Sequence, residues 1–326
     1  MTRAPLPVRA VGYAWRRSRE TLYLLRGKNI LRRYSAHYRR ARRRYPRESG
    51  ALTPGLAGPR ELGVRVIQPR EADTGILLPP DHEALVARVA RGAAEALDRS
   101  ANCRFVPAIP STSLTERTAD IPAVRDGDVI TIQLLDPFVI DGLHDLCEPL
   151  LRELERKVYG SYAIVDKVYV YRSPVSRQVP SASWLWHFDN HPREMLKVMV
   201  YLTDVDEDTA PFEYLRERST GRPLYGAPLA PRFGHSRVAV EEIGRLEAAG
   251  WERRIATGPR GTVLVFDDNI VHRATLARSA HRDVIVFQVR PADFKAVPHI
   301  DPRWTGTFLD HDVNTDPRDL APQRKA

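Results

Sequence analysis

Near residue 160 the spacing of apolar residues changes from that of helices to that of strands, and few architectures accommodate both halves. Before that point, Leu85, Val89, Ala93 and Leu97 form one helical stripe, with Asp81 after Pro79-Pro80 as an acceptable N-cap. A second stripe, Leu143, Leu146, Leu150, Leu151 and Leu154, predicts a helix over Ile140 to Tyr159, stopped by Gly160. Pro149 lies inside it and predicts a kink or a break. A short strand is expected earlier, at Val64 to Ile67. After residue 160 the segments are short, turn-bounded and rich in Val, Tyr and Phe. They are Tyr162 to Tyr171, Trp184 to Asp189, Leu196 to Val205, Phe212 to Leu215, Thr262 to Phe266 and Asp283 to Val289. Helices first and strands afterwards predict an α+β chain built around a β-barrel or sandwich. The stretch between Arg216 and Arg260, with Pro, Gly and Arg, is expected to be a lid or substrate loop.

Charge separates the ends of the chain. The net charge of +9 conceals +13 on residues 1–50 and −4 on the remainder. Residues 13–45 are expected to be helical, with Leu24, Leu31, Tyr34 and Tyr38 set among many arginines, and Gly50 to Pro59 is expected to be a linker. Such an arm suits nucleic acid or an anionic surface, or it is a solvated helix whose apolar stripe lies on the catalytic body. No apolar run approaches the roughly 20 residues of a membrane-spanning helix, and no secretory signal is evident. Cys103 and Cys147 are far apart and form no CxxC, which argues against a disulfide framework or a thiolate metal site. A reduced, cytoplasmic enzyme is the expectation.

The segment Trp184-Leu185-Trp186-His187-Phe188-Asp189 carries the chemistry. On extended chain, residues two apart share a face, so His187 and Asp189 converge while Phe188 points away. An imidazole and a carboxylate so placed can take adjacent positions on a metal. A second imidazole would complete a 2-His-1-carboxylate face of the kind non-haem Fe(II) oxygenases use. His272 is the candidate, just past the apolar strand Thr262 to Phe266 and the break Asp267-Asp268-Asn269. Ten residues later Arg282 opens the next strand, and its guanidinium can clamp a carboxylate with two parallel hydrogen bonds. His191 lies in a polar turn, His235 in the expected lid and His281 beside Arg282 on the opposite face. All three are read as non-ligands.

At these residues the chain resembles the phytanoyl-CoA dioxygenase-like family of Fe(II)/2-oxoglutarate oxygenases. The resembling stretches are Trp186 to Asp189, Leu196 to Val205, Ala210 to Tyr214, Gly261 to His272 and Arg282. The resemblance implies a double-stranded β-helix (jelly-roll, cupin-like) core at about 160–291, with flanking helices. It further implies a dioxygenase domain over 60–326 preceded by a basic helical extension and linker over 1–59. His187, Asp189 and His272 would be the iron ligands and Arg282 the 2-oxoglutarate anchor. Tyr169, on one face with Lys167 and Tyr171, would be a further cosubstrate contact, with Lys197 on the next strand as its rival. The implied reaction consumes dioxygen and 2-oxoglutarate, releases succinate and CO2, and oxidises a small organic substrate. A carboxylate at Asp189 favours hydroxylation over halogenation. Departures from the family pattern are Ala210-Pro211, Arg216-Glu217-Arg218-Ser219, Ala274, and a His272-to-Arg282 spacing one residue short. Two other readings stand beside this one. One is a nucleic-acid-binding protein acting through residues 1–50, and the other is a cupin-like isomerase with a different metal.

Overall fold

The computed structural model describes residues 35–43, 45, 62–69, 76, 78–99, 102–107, 129–177, 182–189, 191–192, 194–226 and 236–307. Helix α1 covers 35–43. It is followed by β1 (Val64–Ile67), α2 (His82–Leu97), β2 (Cys103–Pro107), β3 (Val129–Leu134), α3 (Leu143–Leu154) and β4 (Tyr162–Ser173). Next come β5 (Leu196–Tyr201), β6 (Phe212–Glu217), α4 (Val240–Ala248), β7 (Trp251–Ala256), β8 (Val263–Asp267), β9 (His272–Ala274) and β10 (Arg282–Ala292). Two antiparallel sheets form: seven strands in the order β1-β8-β5-β10-β4-β3-β2, and three in the order β7-β6-β9. This is the jelly-roll arrangement with helices packed outside one sheet.

The central strands read as unbroken apolar runs because both faces of the large sheet are covered. On β10, Ile285, Phe287 and Val289 face the helices and join Val89, Ala93, Leu146, Leu150 and Leu151 in one core. Their neighbours Val284 and Val286 face the small sheet, with Met199, Tyr201, Leu264, Phe266 and Phe212. Strands β5 and β8 divide their residues the same way. In β4 the pairing with β10 slips by one residue near Asp166, so Val168 and Val170 keep facing the helices while Tyr169 and Tyr171 face inward.

Several local expectations need correction. Helix α3 begins at Leu143, after left-handed Gly142, and runs through Pro149 unbroken. Pro149 forfeits one hydrogen bond, and burial of Leu146, Leu150 and Leu151 around it holds the helix together. The helix widens into a π-turn over Glu155–Tyr159, closed by Gly160 at φ 57°. Asp81 precedes α2, yet its side chain makes no capping bond. Trp184 to Asp189 is not a regular strand: a 3-10 turn covers Ala182–Trp184, and His187 alone makes isolated bridges, to His272 and Arg237. The strand at Leu196 ends at Tyr201, four residues early. Arg216 to Arg260 is not one lid loop, since it contains α4 and β7, and β7 pairs with β6 along its length. Residues 227–235 of that stretch lie outside the described residues, as do 1–34 and the Gly50 to Pro59 linker.

The described part of the basic arm rests on the body. His37 and Ala41 are buried while Arg39, Arg40, Arg42 and Arg43 are exposed. The Tyr38 hydroxyl donates to the Tyr159 carbonyl at 2.8 Å, and Ser35 Oγ donates to Glu194 Oε1 at 2.6 Å. Residues 35–43 thus lie with one face against the body and their arginines outward. No helix among the described residues is long and apolar enough to cross a membrane.

Candidate active site

His187 and His272 face each other across a tight backbone pair. The His187 N–H donates to the His272 carbonyl at 2.9 Å and the return bond is 2.8 Å. Directly opposed residues project to the same side, and the two rings stand 4.3 Å apart. The chain stays extended through Phe188, whose N–H donates to the Ser236 carbonyl, and Asp189, whose N–H donates to the Asp268 carbonyl. Trp186 and Phe188 therefore enter a separate apolar cluster, leaving His187 and Asp189 facing inward. One ligand atom from each of His187, Asp189 and His272 lies within 4.8 Å of the other two. Asp189 Oδ1 is 3.7 Å from His187 Nε2, and Oδ2 is 3.8 Å from His272 Nε2.

Tautomer and charge suit a metal. Each histidine places Nδ1 on the carbonyl two residues earlier, Leu185 at 2.8 Å and Ile270 at 2.9 Å. Donation of Nδ1–H there leaves both Nε2 lone pairs turned toward Asp189. Burial lowers the pKa of His187; burial and the adjacent His187 push His272 down to about 3. Both rings are thus neutral near pH 7. Burial alone would raise Asp189, but the Lys197 ammonium against Oδ2 outweighs it and holds the carboxyl well below its ordinary range. Two neutral imidazoles and one carboxylate on one face make a donor set that fits a divalent first-row cation.

The triad borders a cavity of about 310 Å³. Met199, Phe212, Phe266 and Val286 give it apolar walls, and Arg282 belongs to the same lining. Arg282 is 1% exposed. Its Nη2 leans toward Ser173 Oγ at 3.5 Å, while Nε and Nη1 make no hydrogen bond among the described residues. Tyr169 also lines the cavity, its phenol pushed up and kept protonated by burial. Lys197 is taken by Asp189, and Lys167, although buried, is not part of the lining.

The remaining histidines separate clearly. His191 Nδ1 lies 2.6 Å from Asp268 Oδ2, beside Gln288, so its ring braces the turn behind Asp189. His191 and Asp268 do approach Asp189 closely enough to form a second potential ligand group. His281 is half exposed and faces Asp283, and His235 lies outside the described residues. Sequence reasoning overlooked Thr131 and Gln133, which enter the lining from β3. The alternation Val129-Ile130-Thr131-Ile132-Gln133-Leu134 was the available signal.

No protein-family model matches the chain. The L-proline trans-4-hydroxylase of Streptomyces griseoviridis is 27% identical over 175 residues, which is 45% of this chain and 64% of that protein. The chain thus spans just under two thirds of that relative's length. Among solved structures, the non-heme alpha ketoglutarate dependent epimerase SnoN from nogalamycin biosynthesis aligns with a TM-score of 0.45. It is 17% identical and covers 81% of this chain and 84% of its own. EctD from S. alaskensis with 2-oxoglutarate and 5-hydroxyectoine also aligns at 0.45, with 14% identity, covering 76% of this chain and 86% of that one.

Proposed function

We propose that this protein is an Fe(II)- and 2-oxoglutarate-dependent dioxygenase that hydroxylates a small organic substrate. His187, Asp189 and His272 hold the iron, and Arg282 anchors the far carboxylate of 2-oxoglutarate. The observation that carries this reading is the pairing, in one cavity, of a facial His-Asp-His set with a buried arginine whose guanidinium has donors to spare. Buried cations normally have partners, so Arg282 fits an anionic ligand as its complement. The partial match to a proline hydroxylase supports hydroxylation as the outcome.

When bound, the iron and cosubstrate supply the oxidising chemistry, with succinate and CO2 as by-products. The chain's own residues do four things. The Nδ1–H bonds to Leu185 and Ile270 fix both imidazoles with Nε2 inward. Lys197 occupies one oxygen of Asp189 and keeps the carboxylate ionised. Arg282 sets the direction of the cosubstrate, and Tyr169 contributes to the same lining. Met199, Phe212, Phe266 and Val286 exclude water from the space between.

Anaerobic titration of the purified protein with Fe(II) and 2-oxoglutarate tests the assignment. A visible metal-to-ligand charge-transfer band is expected, absent in His187→Ala, and Arg282→Ala should need on the order of 100-fold more 2-oxoglutarate. Folded, iron-loaded protein that gives no band would sink the reading.

A further inference from the structure

The cavity lining combines apolar side chains with two polar groups, the His-Asp-His triad and Arg282, and β3 brings two more polar side chains to it. Thr131 and Gln133 are each 5% exposed. Thr131 Oγ1 and Gln133 Nε2, like Arg282 Nε and Nη1, make no hydrogen bond among the described residues. A buried polar atom without a partner is costly, and four such atoms around one cavity need a common explanation.

The sheet register shows why they belong together. Gln133 pairs with Tyr171, and Tyr171 pairs with Val284. Paired residues share a face, as do residues two apart on a strand, so Thr131, Gln133, Tyr171 and Arg282 share one face and all line the cavity. Arg282 pairs with Ser173 on β4, the strand between β10 and β3, and its Nη2 already leans over Ser173. Its guanidinium lies between the Tyr171 ring on β4 and the Tyr201 ring on β5, at 6.0 and 5.9 Å, with Nη2 on the β4 side. On the opposite sheet Ala274 lines the cavity with no polar side-chain atom. Nε and Nη1 lie on different edges of the guanidinium, so one carboxylate meets one of them, beside the glutamine amide and the threonine hydroxyl. A carboxylate has about four lone-pair sites and accepts from donors only, which matches such a set.

We propose that Thr131 and Gln133 complete, with one edge of the Arg282 guanidinium, a cradle for one carboxylate, the far end of the diacid cosubstrate. The inference rests on the functional reading above and adds to it two residues that select a diacid over a mono-acid. Groups that serve only a ligand are a burden to the ligand-free fold. Replacing them by apolar isosteres should therefore leave that fold as stable or more so.

The test uses full-length protein loaded with Mn(II), a redox-quiet stand-in for Fe(II). Affinities for 2-oxoglutarate and for 2-oxobutanoate, which lacks the far carboxylate, are measured by calorimetry. Thermal unfolding of the ligand-free protein is measured alongside. Thr131→Val and Gln133→Leu should each weaken 2-oxoglutarate about 10-fold. Both should leave 2-oxobutanoate and metal affinity unchanged and the melting temperature unchanged or raised. Wild-type affinity for 2-oxoglutarate in the double variant Thr131→Val/Gln133→Leu overturns the proposal, and so does a lowered melting temperature in both single variants. Arg282→Ala separates the two levels. If it abolishes diacid preference while the double variant keeps it, only the cradle fails. If Arg282→Ala also keeps wild-type preference, the 2-oxoglutarate reading fails with it.

Discussion

Single residues govern how the triad is aimed. Phe188 sits between the two proposed ligands, and its ring, in the apolar cluster on the other side, is the counterweight that holds His187 and Asp189 to the cavity side. Behind that ring lies Gly226, whose N–H donates to the Asn269 carbonyl at 2.9 Å. A Cβ at Gly226 would lie 1.9 Å from the Phe188 ring and 2.1 Å from its Cγ. The clash falls near the root of the side chain, where a rotamer change gives little relief. Gly226→Ala is therefore expected to shift Phe188, weaken metal binding by roughly tenfold and lower the melting temperature, because aiming errors of about 1 Å are costly at such sites. Metal titration of the variant measures this, and wild-type affinity would show that Phe188 does not position the pair. Lys197 illustrates a different residue-scale effect. An isolated lysine in a strand reads as a candidate ligand contact, but a neighbouring carboxylate claims its charge first.

At the scale of elements, the chain after β10 is fastened to the helical layer by one imidazole. His299 Nδ1 meets Glu148 Oε2 at 2.7 Å, and Nε2 meets Glu155 Oε1 at 3.1 Å. Glu148 belongs to α3 and Glu155 to the π-turn, so the clamp spans the junction where the helix widens. Burial opposes the charged ring, yet the bonds to the two glutamates raise His299 to about 9. A raised folded-state pKa stabilises fully below the unfolded value of 6.5 and loses that contribution as pH climbs through about 9. Thermal stability is thus expected to fall between pH 7 and 9.5 by roughly 1 to 3 kcal/mol, and His299→Gln should flatten that slope. An equal slope in the variant would assign the fall to other groups. Helix α1 is fastened more simply, by apolar contact and the Tyr38 hydroxyl. Its exposed arginines, Arg39, Arg40, Arg42 and Arg43, lie away from the docked face, with Arg42 over the Tyr38 ring at 5.7 Å.

For the whole molecule, the helices and the small sheet divide the work on either side of the large sheet. The helical side is an apolar core; the other side holds the cavity and donors without a hydrogen-bond partner among the described residues. His187 and Asp189 lie 83 or more residues before His272, and the metal they would share ties these distant segments together. Metal binding to the folded state alone should therefore raise global stability by about 2.7 kcal/mol at a hundredfold excess over Kd, or several degrees in melting temperature. 2-Oxoglutarate is expected to add to this only when the metal is present. A diacid effect of the same size without metal would mean that Arg282 binds it independently of the triad.

What could be read from the chain alone was whatever depends on local period and on the chemistry of single side chains. Period two placed His187 and Asp189 on one face, and it holds even where the regular strand fails, because the backbone remains extended there. The apolar stripes placed α2 and α3, and the run of short strands implied two sheets. Other features depended on which strand lies beside which, a non-local matter with no trace in spacing. The opposition of His187 to His272 is one. The pairing of β7 with β6, which turned an expected lid into structure, is another. So is the register that carries Thr131 and Gln133 to the cavity of Arg282. A polar residue on an alternating strand is ordinarily a solvent-facing one. Only the fold shows that these two are buried and lack a hydrogen-bond partner for one polar atom each among the described residues.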